Sequence, residues 1–169
     1  DDKSPPELLA KAKLAIAEIF SQDADLSVGV QAYLDILKKT PELRRSVYIK
    51  IAEIYEKNKQ HLQALEAYQT ALAAEQSLSE VTNVEIQFAI GDVYESLRQR
   101  EKAIEAYLKI SYLYPKDLSW VIKAYLRVAR IFEEQEKWEE ARSAYQKILE
   151  FETEESKYAE EQLERLKEK

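Results

Sequence analysis

Ile90-Gly91-Asp92-Val93-Tyr94-Glu95-Ser96-Leu97-Arg98-Gln99-Arg100-Glu101-Lys102-Ala103-Ile104-Glu105-Ala106-Tyr107 is the stretch that decides the fold. An apolar residue and a small one, Ile90-Gly91, are followed three positions later by Tyr94; Ala103 comes nine residues on, and Tyr107 four after that. The same skeleton, with the same internal spacing, occurs at Ile16-Ala17…Phe20…Gly29…Tyr33, Ile51-Ala52…Tyr55…Ala64…Tyr68 and Val128-Ala129…Phe132…Ala141…Tyr145. Steps of three and four put these residues on one helical face. A unit of this size cannot bury such a face alone, so neighbouring units must stack into a continuous core.

Composition agrees with helices throughout. The chain of 169 residues holds only Gly29 and Gly91 and four prolines, too few turn residues for hairpins, while its apolar content of 46% suffices for a core. Ala, Glu, Lys, Leu and Gln, all good helix formers, dominate it. The formal charge of −7 and pI near 5.0 argue against a nucleic-acid binder, which needs a basic stripe. Without cysteine there is neither a disulfide framework nor a thiolate metal site, a composition that suits an oxidising compartment. No apolar run reaches the ~18–20 residues that span a bilayer, so direct membrane insertion is not expected. The start at Asp1-Asp2-Lys3 and the lack of methionine suggest processing or excision from a longer protein.

Ser4-Pro5-Pro6-Glu7 reads as a helix start, with Ser4 as cap and Glu7 completing a capping box. That helix runs to about Ser21, and a second runs to about Lys39, stopping before Pro41. Three further pairs follow at about 42–57 with 60–75, 79–97 with 100–113 and 118–135 with 137–151. Their short turns, Asn58-Lys59, Arg98-Gln99 and Gln135-Glu136, make each pair antiparallel. The expected fold is all-α: one domain over 1–169 with repeats at about 5–41, 42–76, 79–115 and 118–153. A capping helix at about 155–169 presents Ala159, Leu163 and Leu166 on one face. The skeleton tyrosines are 35, 39 and 38 residues apart. The longer intervals predict either an added helical turn or a longer loop around Ser79–Asn83 and Leu118–Val121, with Ser77, Ser79 and Asp117 as caps.

The skeleton resembles the tetratricopeptide repeat, a helix–turn–helix of about 34 residues with the pattern W-x₂-L-G-x₂-Y…A-x₃-F…P. The resemblance covers nearly the whole chain and implies an α-solenoid of four repeats. The small residues let the paired helices approach closely, and the aromatics fill the space between repeats. The leading tryptophan is replaced by Lys13, Tyr48, Gln87 and Tyr125, and the closing proline survives only as Pro41 and Pro115. From Tyr107 on, the joint Leu113-Tyr114-Pro115-Lys116-Asp117 and the later Trp138-Glu139-Glu140-Ala141 are similar to the long repeats of bacterial envelope proteins. That narrower resemblance implies the periplasm or envelope rather than the cytoplasm.

No catalytic constellation is visible. The single histidine, His61, sits in a polar turn and reads as a solvated surface residue. Zinc sets, acyl-transfer triads and glycine-rich phosphate loops all lack their residues, and the many Glu-Glu pairs read as solvated faces. No cofactor and no enzymatic activity are expected. Six of the eleven tyrosines occupy skeleton positions; Tyr112, Tyr114 and Trp120 either pack over a lengthened helix start or form an exposed aromatic patch.

The resemblance implies that first helices line a concave groove that takes a partner segment. Read on that face, Leu14, Ile49, Phe88 and Leu126 form an apolar row, which serves either as binding floor or as inter-helix packing. Glu18, Glu53, Asp92 and Arg130, each two residues before the skeleton aromatic, form a charged row, with Lys11, Lys50, Glu85, Lys123 and Arg127 beside it. The carboxylates suit a partner with basic flanks. Co-chaperone modules of this type hold a C-terminal carboxylate with five set residues. Lys123 and Arg127 match two of these, but Ile49, Glu53 and Ala89 occupy the rest, so that clamp is not expected. The chain therefore reads as a non-enzymatic scaffold for a protein or peptide partner, probing no nucleic acid and belonging to a larger bacterial protein or assembly. The alternatives are a regulatory segment of a multidomain enzyme and a self-assembly module, which would make a homo-oligomer.

Overall fold

The computed structural model describes Ala15, residues 26–74, residues 82–167 and Lys169. The first expected helix with its Ser4 cap, and the caps Ser77 and Ser79, lie outside the described residues. Among those described, all regular structure is helical. The chain divides into two compact units, residues 1–86 and 87–169.

In the first unit, α1 (Leu26–Lys39) is followed by a 3₁₀ turn (Pro41–Leu43), α2 (Arg44–Lys57) and α3 (His61–Leu72). Its core is built from Tyr33, Leu43, Val47, Ile51, Ala52, Ala64 and Tyr68, all nearly inaccessible. Arg45 is buried with them and donates through Nη1 to the Ala71 carbonyl at 3.4 Å, placing a cation at the C-terminal end of α3. His61 is half-buried rather than solvated, and its Nδ1 is enclosed without a hydrogen-bond partner.

The helix α4 (Asn83–Ser96) begins four residues later than the sequence suggested. A capping box sets that start. Glu85 Oε2 accepts from the Thr82 amide at 2.6 Å and from the Thr82 hydroxyl at 2.7 Å, and the Glu85 amide faces Thr82 Oγ1 at 3.4 Å. The second unit continues with α5 (Arg100–Leu113), α6 (Leu118–Glu134), α7 (Trp138–Leu149) and α8 (Glu154–Leu166). Here the added turn is real: α6 has 17 residues against 14 in α2 and α4. Asp117 precedes α6 as its cap residue, but its side chain makes no capping hydrogen bond.

Three turns repeat one geometry, which accounts for the fixed spacing in the sequence. Lys59, Arg98 and Glu136 adopt left-handed backbone angles, with φ of 58°, 58° and 59°. Their amides donate to Glu56, Glu95 and Glu133, and the next amides, of Gln60, Gln99 and Lys137, donate to Tyr55, Tyr94 and Phe132. These are the paired bonds of a Schellman turn, and the skeleton aromatic is the residue whose carbonyl closes it. The residue after the turn then accepts from Ala64, Ala103 or Ala141 at 3.0 Å, the first bond of the next helix. Five residues of turn and four of helix give the nine that separate aromatic from alanine.

The small residues lie at helix contacts, as their spacing predicts. Ala52, Ala64, Ala103, Ala129 and Ala141 are fully buried. Gly91 leaves no room for a side chain: a Cβ built on it would fall 2.6 Å from Tyr107 Cδ1 and 2.7 Å from its Cζ. The last helix closes the second unit. Ala159 and Leu166 are buried, Leu163 is half-buried, and Tyr158 meets Tyr145 edge-on at 6.4 Å. Arg142 reaches across to the Leu166 carbonyl at 2.6 Å, and Arg165 pairs with Glu133.

Candidate functional site

Each second helix of the described pairs ties itself to the first by one hydroxyl. Tyr68 donates to Glu56 at 2.6 Å, Tyr107 to Glu95 at 2.8 Å and Tyr145 to Glu133 at 2.6 Å. The accepting glutamate always follows the skeleton aromatic directly, so the residue that completes the turn also aims the carboxylate. Sequence reading missed this triad, although Tyr55-Glu56, Tyr94-Glu95 and Phe132-Glu133 carry it in plain view. Burial, then the bond to Asp92 and the one to Glu95, hold the Tyr107 hydroxyl protonated far above the ordinary tyrosine range. Burial and the bond to Glu133 do the same for Tyr145.

In the second unit these carboxylates carry a layer of arginines. Arg127 Nη2 binds Asp92 Oδ1 at 2.7 Å, and its Nη1 lies 3.7 Å from Glu95. Arg130 spans Glu95 at 3.7 Å and Glu134 at 3.4 Å. Asp92 is thus neutralised within the fold: besides Arg127 it accepts from Tyr107 at 2.6 Å.

Beside this layer opens a cleft of about 720 Å³, lined by Phe88 of α4, by Lys123, Leu126, Arg127, Arg130 and Glu133 of α6, by Tyr145 of α7, and by Tyr158, Gln162 and Arg165 of α8. Phe88 packs between Tyr107, at 5.1 Å, and Trp120, at 5.2 Å, and is half-buried, leaving part of its ring to the cleft. The Lys123 ammonium lies 4.2 Å from the Trp120 ring. Trp120 is therefore packed over the lengthened helix start, Tyr114 is half-buried, and Tyr112 is 84% exposed.

The fold brings Phe88, Asp92, Lys123, Leu126, Arg127 and Arg130 together in one unit. Leu14 and Glu18 lie outside the described residues. In the first unit Ile49 is only 4% exposed, so it belongs to the core there, and Glu53 is exposed and paired with Lys50 at 2.9 Å. Among the described residues no group of three or more His, Asp or Glu is placed to hold a metal, and no helix is long and apolar enough to cross a membrane.

Family models for the tetratricopeptide repeat match residues 46–77, 84–117 and 123–151. No curated protein matches the sequence. Among solved structures, MamA residues 41–end from Desulfovibrio magneticus RS-1 is similar at 22% identity and a TM-score of 0.59, over 89% of this chain and 77% of that one. A tetratricopeptide repeat protein from Parabacteroides merdae aligns at 18% identity and a TM-score of 0.68, over 94% of this chain, which spans 60% of that protein. The tetratricopeptide-like repeats of a putative kinesin light chain from Podosopora anserina align at 18% identity and a TM-score of 0.66, over 96% and 87%. At these identities the likeness shows the fold.

Proposed function

The chain belongs to the tetratricopeptide repeat family, and we propose that it works as a non-enzymatic scaffold whose second unit holds a partner segment in the cleft beside α6. The observation that carries this reading is the cleft itself. It joins an aromatic and aliphatic floor, Phe88, Leu126 and Tyr158, to cationic side chains already fixed by ion pairs. A floor of that kind suits an extended or helical segment with apolar anchors. Phe88 is its natural anchor, because a large ring braced on both sides loses little freedom when covered. The test is capture of partners by the parent protein, Phe88→Ala and Tyr112→Ala, each confirmed folded. Partners lost with Phe88→Ala and kept with Tyr112→Ala support the cleft. Identical capture by all three moves the binding site elsewhere.

Self-assembly has one observation in its favour. Leu108 and Tyr112, one turn apart on α5, are 38% and 84% exposed. Sedimentation over a concentration series would show association that Tyr112→Ala weakens; a monomer throughout ends that reading.

A further inference from the structure

Four of the five large apolar side chains that stand exposed among the described residues of the second unit lie within eleven residues. They are Leu108, Tyr112, Leu113 and Leu118, at the end of α5 and the start of α6. None of them lines the cleft. On α5, steps of four, three and four lead from Glu101 through Glu105 and Leu108 to Tyr112, which places these exposed side chains on one line along the helix. The line is acidic over its first half and apolar over its second. Just beyond it, in the turn closed by the Asp117 amide on the Tyr114 carbonyl at 3.0 Å, Lys116 is exposed. Along the helix the order is therefore carboxylate, apolar pair, cation.

From this order we propose that the face takes a second copy of this chain, with the two α5 helices packed antiparallel about a twofold axis at the height of Ile110. This surface rests on the self-association considered above and is independent of the cleft. In an antiparallel pair each residue above the axis meets the one equally far below it, so Leu108 faces Tyr112 of the second copy and Tyr112 faces its Leu108. Glu105, five residues before the axis, comes opposite the turn that holds Lys116, and the twofold makes that contact twice. A parallel pair would set Glu105 against Glu105. Glu105 already holds Lys109 at 2.8 Å, and both are exposed, so exchanging one exposed pair for another adds little affinity. The charges set the orientation, and the two Leu108–Tyr112 contacts carry the association. About eight residues a side fall well short of the ~20–30 of a standard interface, which makes the dimer weak and reversible. No α5 residue lines the cleft, so both copies keep it open and the dimer offers a partner two identical sites.

Sedimentation equilibrium of the full chain from about 10 μM to 1 mM, the range of weak interfaces, tests this. The expected result is a reversible monomer–dimer equilibrium with no larger species. Tyr112→Asp should raise the dissociation constant roughly tenfold or more. Glu105→Lys and Lys116→Glu should each weaken the dimer severalfold, and the two together should restore it, because the contact reappears with its charges exchanged. All three positions are exposed, so the variants are expected to melt close to the parent. A dimer indifferent to Tyr112→Asp would move self-association to another surface and overturn this one. Weakening by Tyr112→Asp with no recovery in the double variant would overturn the antiparallel pairing. Species beyond the dimer would overturn a closed twofold contact, and a monomer throughout would end the self-assembly reading along with it.

Discussion

Gly91→Ala exchanges a helix-breaking residue for the best helix former, yet the structure predicts a loss of stability. Gly91 lies inside α4 at the closest approach of Tyr107, whose ring is fully buried. An added methyl would sit 2.6 Å from Cδ1 and nearer still to Cε1, so the ring must move. Its hydroxyl is held by Asp92 at 2.6 Å and Glu95 at 2.8 Å, and its face meets Phe88 at 5.1 Å. In the next repeat Ala129 stands where Gly91 does, and Tyr145 donates to Glu133 with no carboxylate at the Asp92 position, which is Arg130. The alanine variant should push Tyr107 toward that arrangement and break its bond to Asp92. A hydrogen bond to a charged group contributes about 1.5–3 kcal/mol, and overpacking costs a further 1–3 kcal/mol or so where the ring cannot fully yield. Helix propensity returns about 1 kcal/mol. The net loss is about 1.5–5 kcal/mol, or roughly 3–20 °C in Tm for a chain of this size. Urea denaturation of the parent, Gly91→Ala, Tyr107→Phe and the double variant measures it. In the Tyr107→Phe background, where the bond to Asp92 is already gone, Gly91→Ala should cost at least ~1 kcal/mol less. A Gly91→Ala protein as stable as its parent, or an equal cost in both backgrounds, would refute the close-approach argument.

Ala103→Glu places a carboxylate at a fully buried position without a partner, so thermal melting should show a loss of several kcal/mol, about 3 or more; an unchanged midpoint would sink the repeat assignment. Arg98→Gly relieves a left-handed residue and should stabilise the protein by about 0.5–1 kcal/mol in urea titration, whereas destabilisation would show that the Arg98 side chain matters more than its backbone. Ending the chain after Glu154 removes α8 and uncovers the side of α7 beneath Ala159 and Leu166; light scattering should report aggregation, and a stable monomer would make α8 dispensable. The raised Tyr107 pKa stabilises the fold below the unfolded value near pH 10 and loses that contribution as pH rises further, because the unfolded chain ionises first. Tm should therefore decline more steeply above about pH 10 in the parent than in Tyr107→Phe, and parallel curves would contradict the assignment.

The helices were legible because they follow from local rules written in residues. Skeleton spacing maps onto a turn whose hydrogen bonds close over a fixed number of residues, and Tyr94, Arg98, Gln99 and Ala103 each have one place in it. The start of α4 was misplaced because Thr82-Asn83-Val84-Glu85 is a capping signal that the three residues ahead of it, Ser79-Glu80-Val81, concealed. The site was legible only in part. Helical faces identified Phe88, Leu126, Lys123 and Arg127 as neighbours, since all are first-helix residues at one repeat position or its flanks. They did not show what the charges do to each other across helices. Asp92 and Arg127 are 35 residues apart in sequence and 2.7 Å apart in space, a relation that periodicity within one helix cannot contain.

That cross-helix pairing also explains why one position can be core in one unit and cleft in another. Ile49 and Phe88 occupy the same place in the skeleton, yet Ile49 is buried while Phe88 keeps an open edge. A branched aliphatic residue can be enclosed completely by its neighbours. Phe88 is instead wedged between Tyr107 and Trp120, and Trp120 comes from the turn by which α6 exceeds the other first helices. The lengthened α6 thus supplies both a wall for Phe88 and, with Lys123 one turn further on, a cation at the rim. Meanwhile Tyr107 and Tyr145 draw Glu95, Asp92 and Glu133 toward the interior, and those carboxylates fix the arginines. The repeat skeleton supplies the tyrosine and the glutamate, the extra turn supplies Trp120, and the cleft with its layer of paired arginines lies where the two meet.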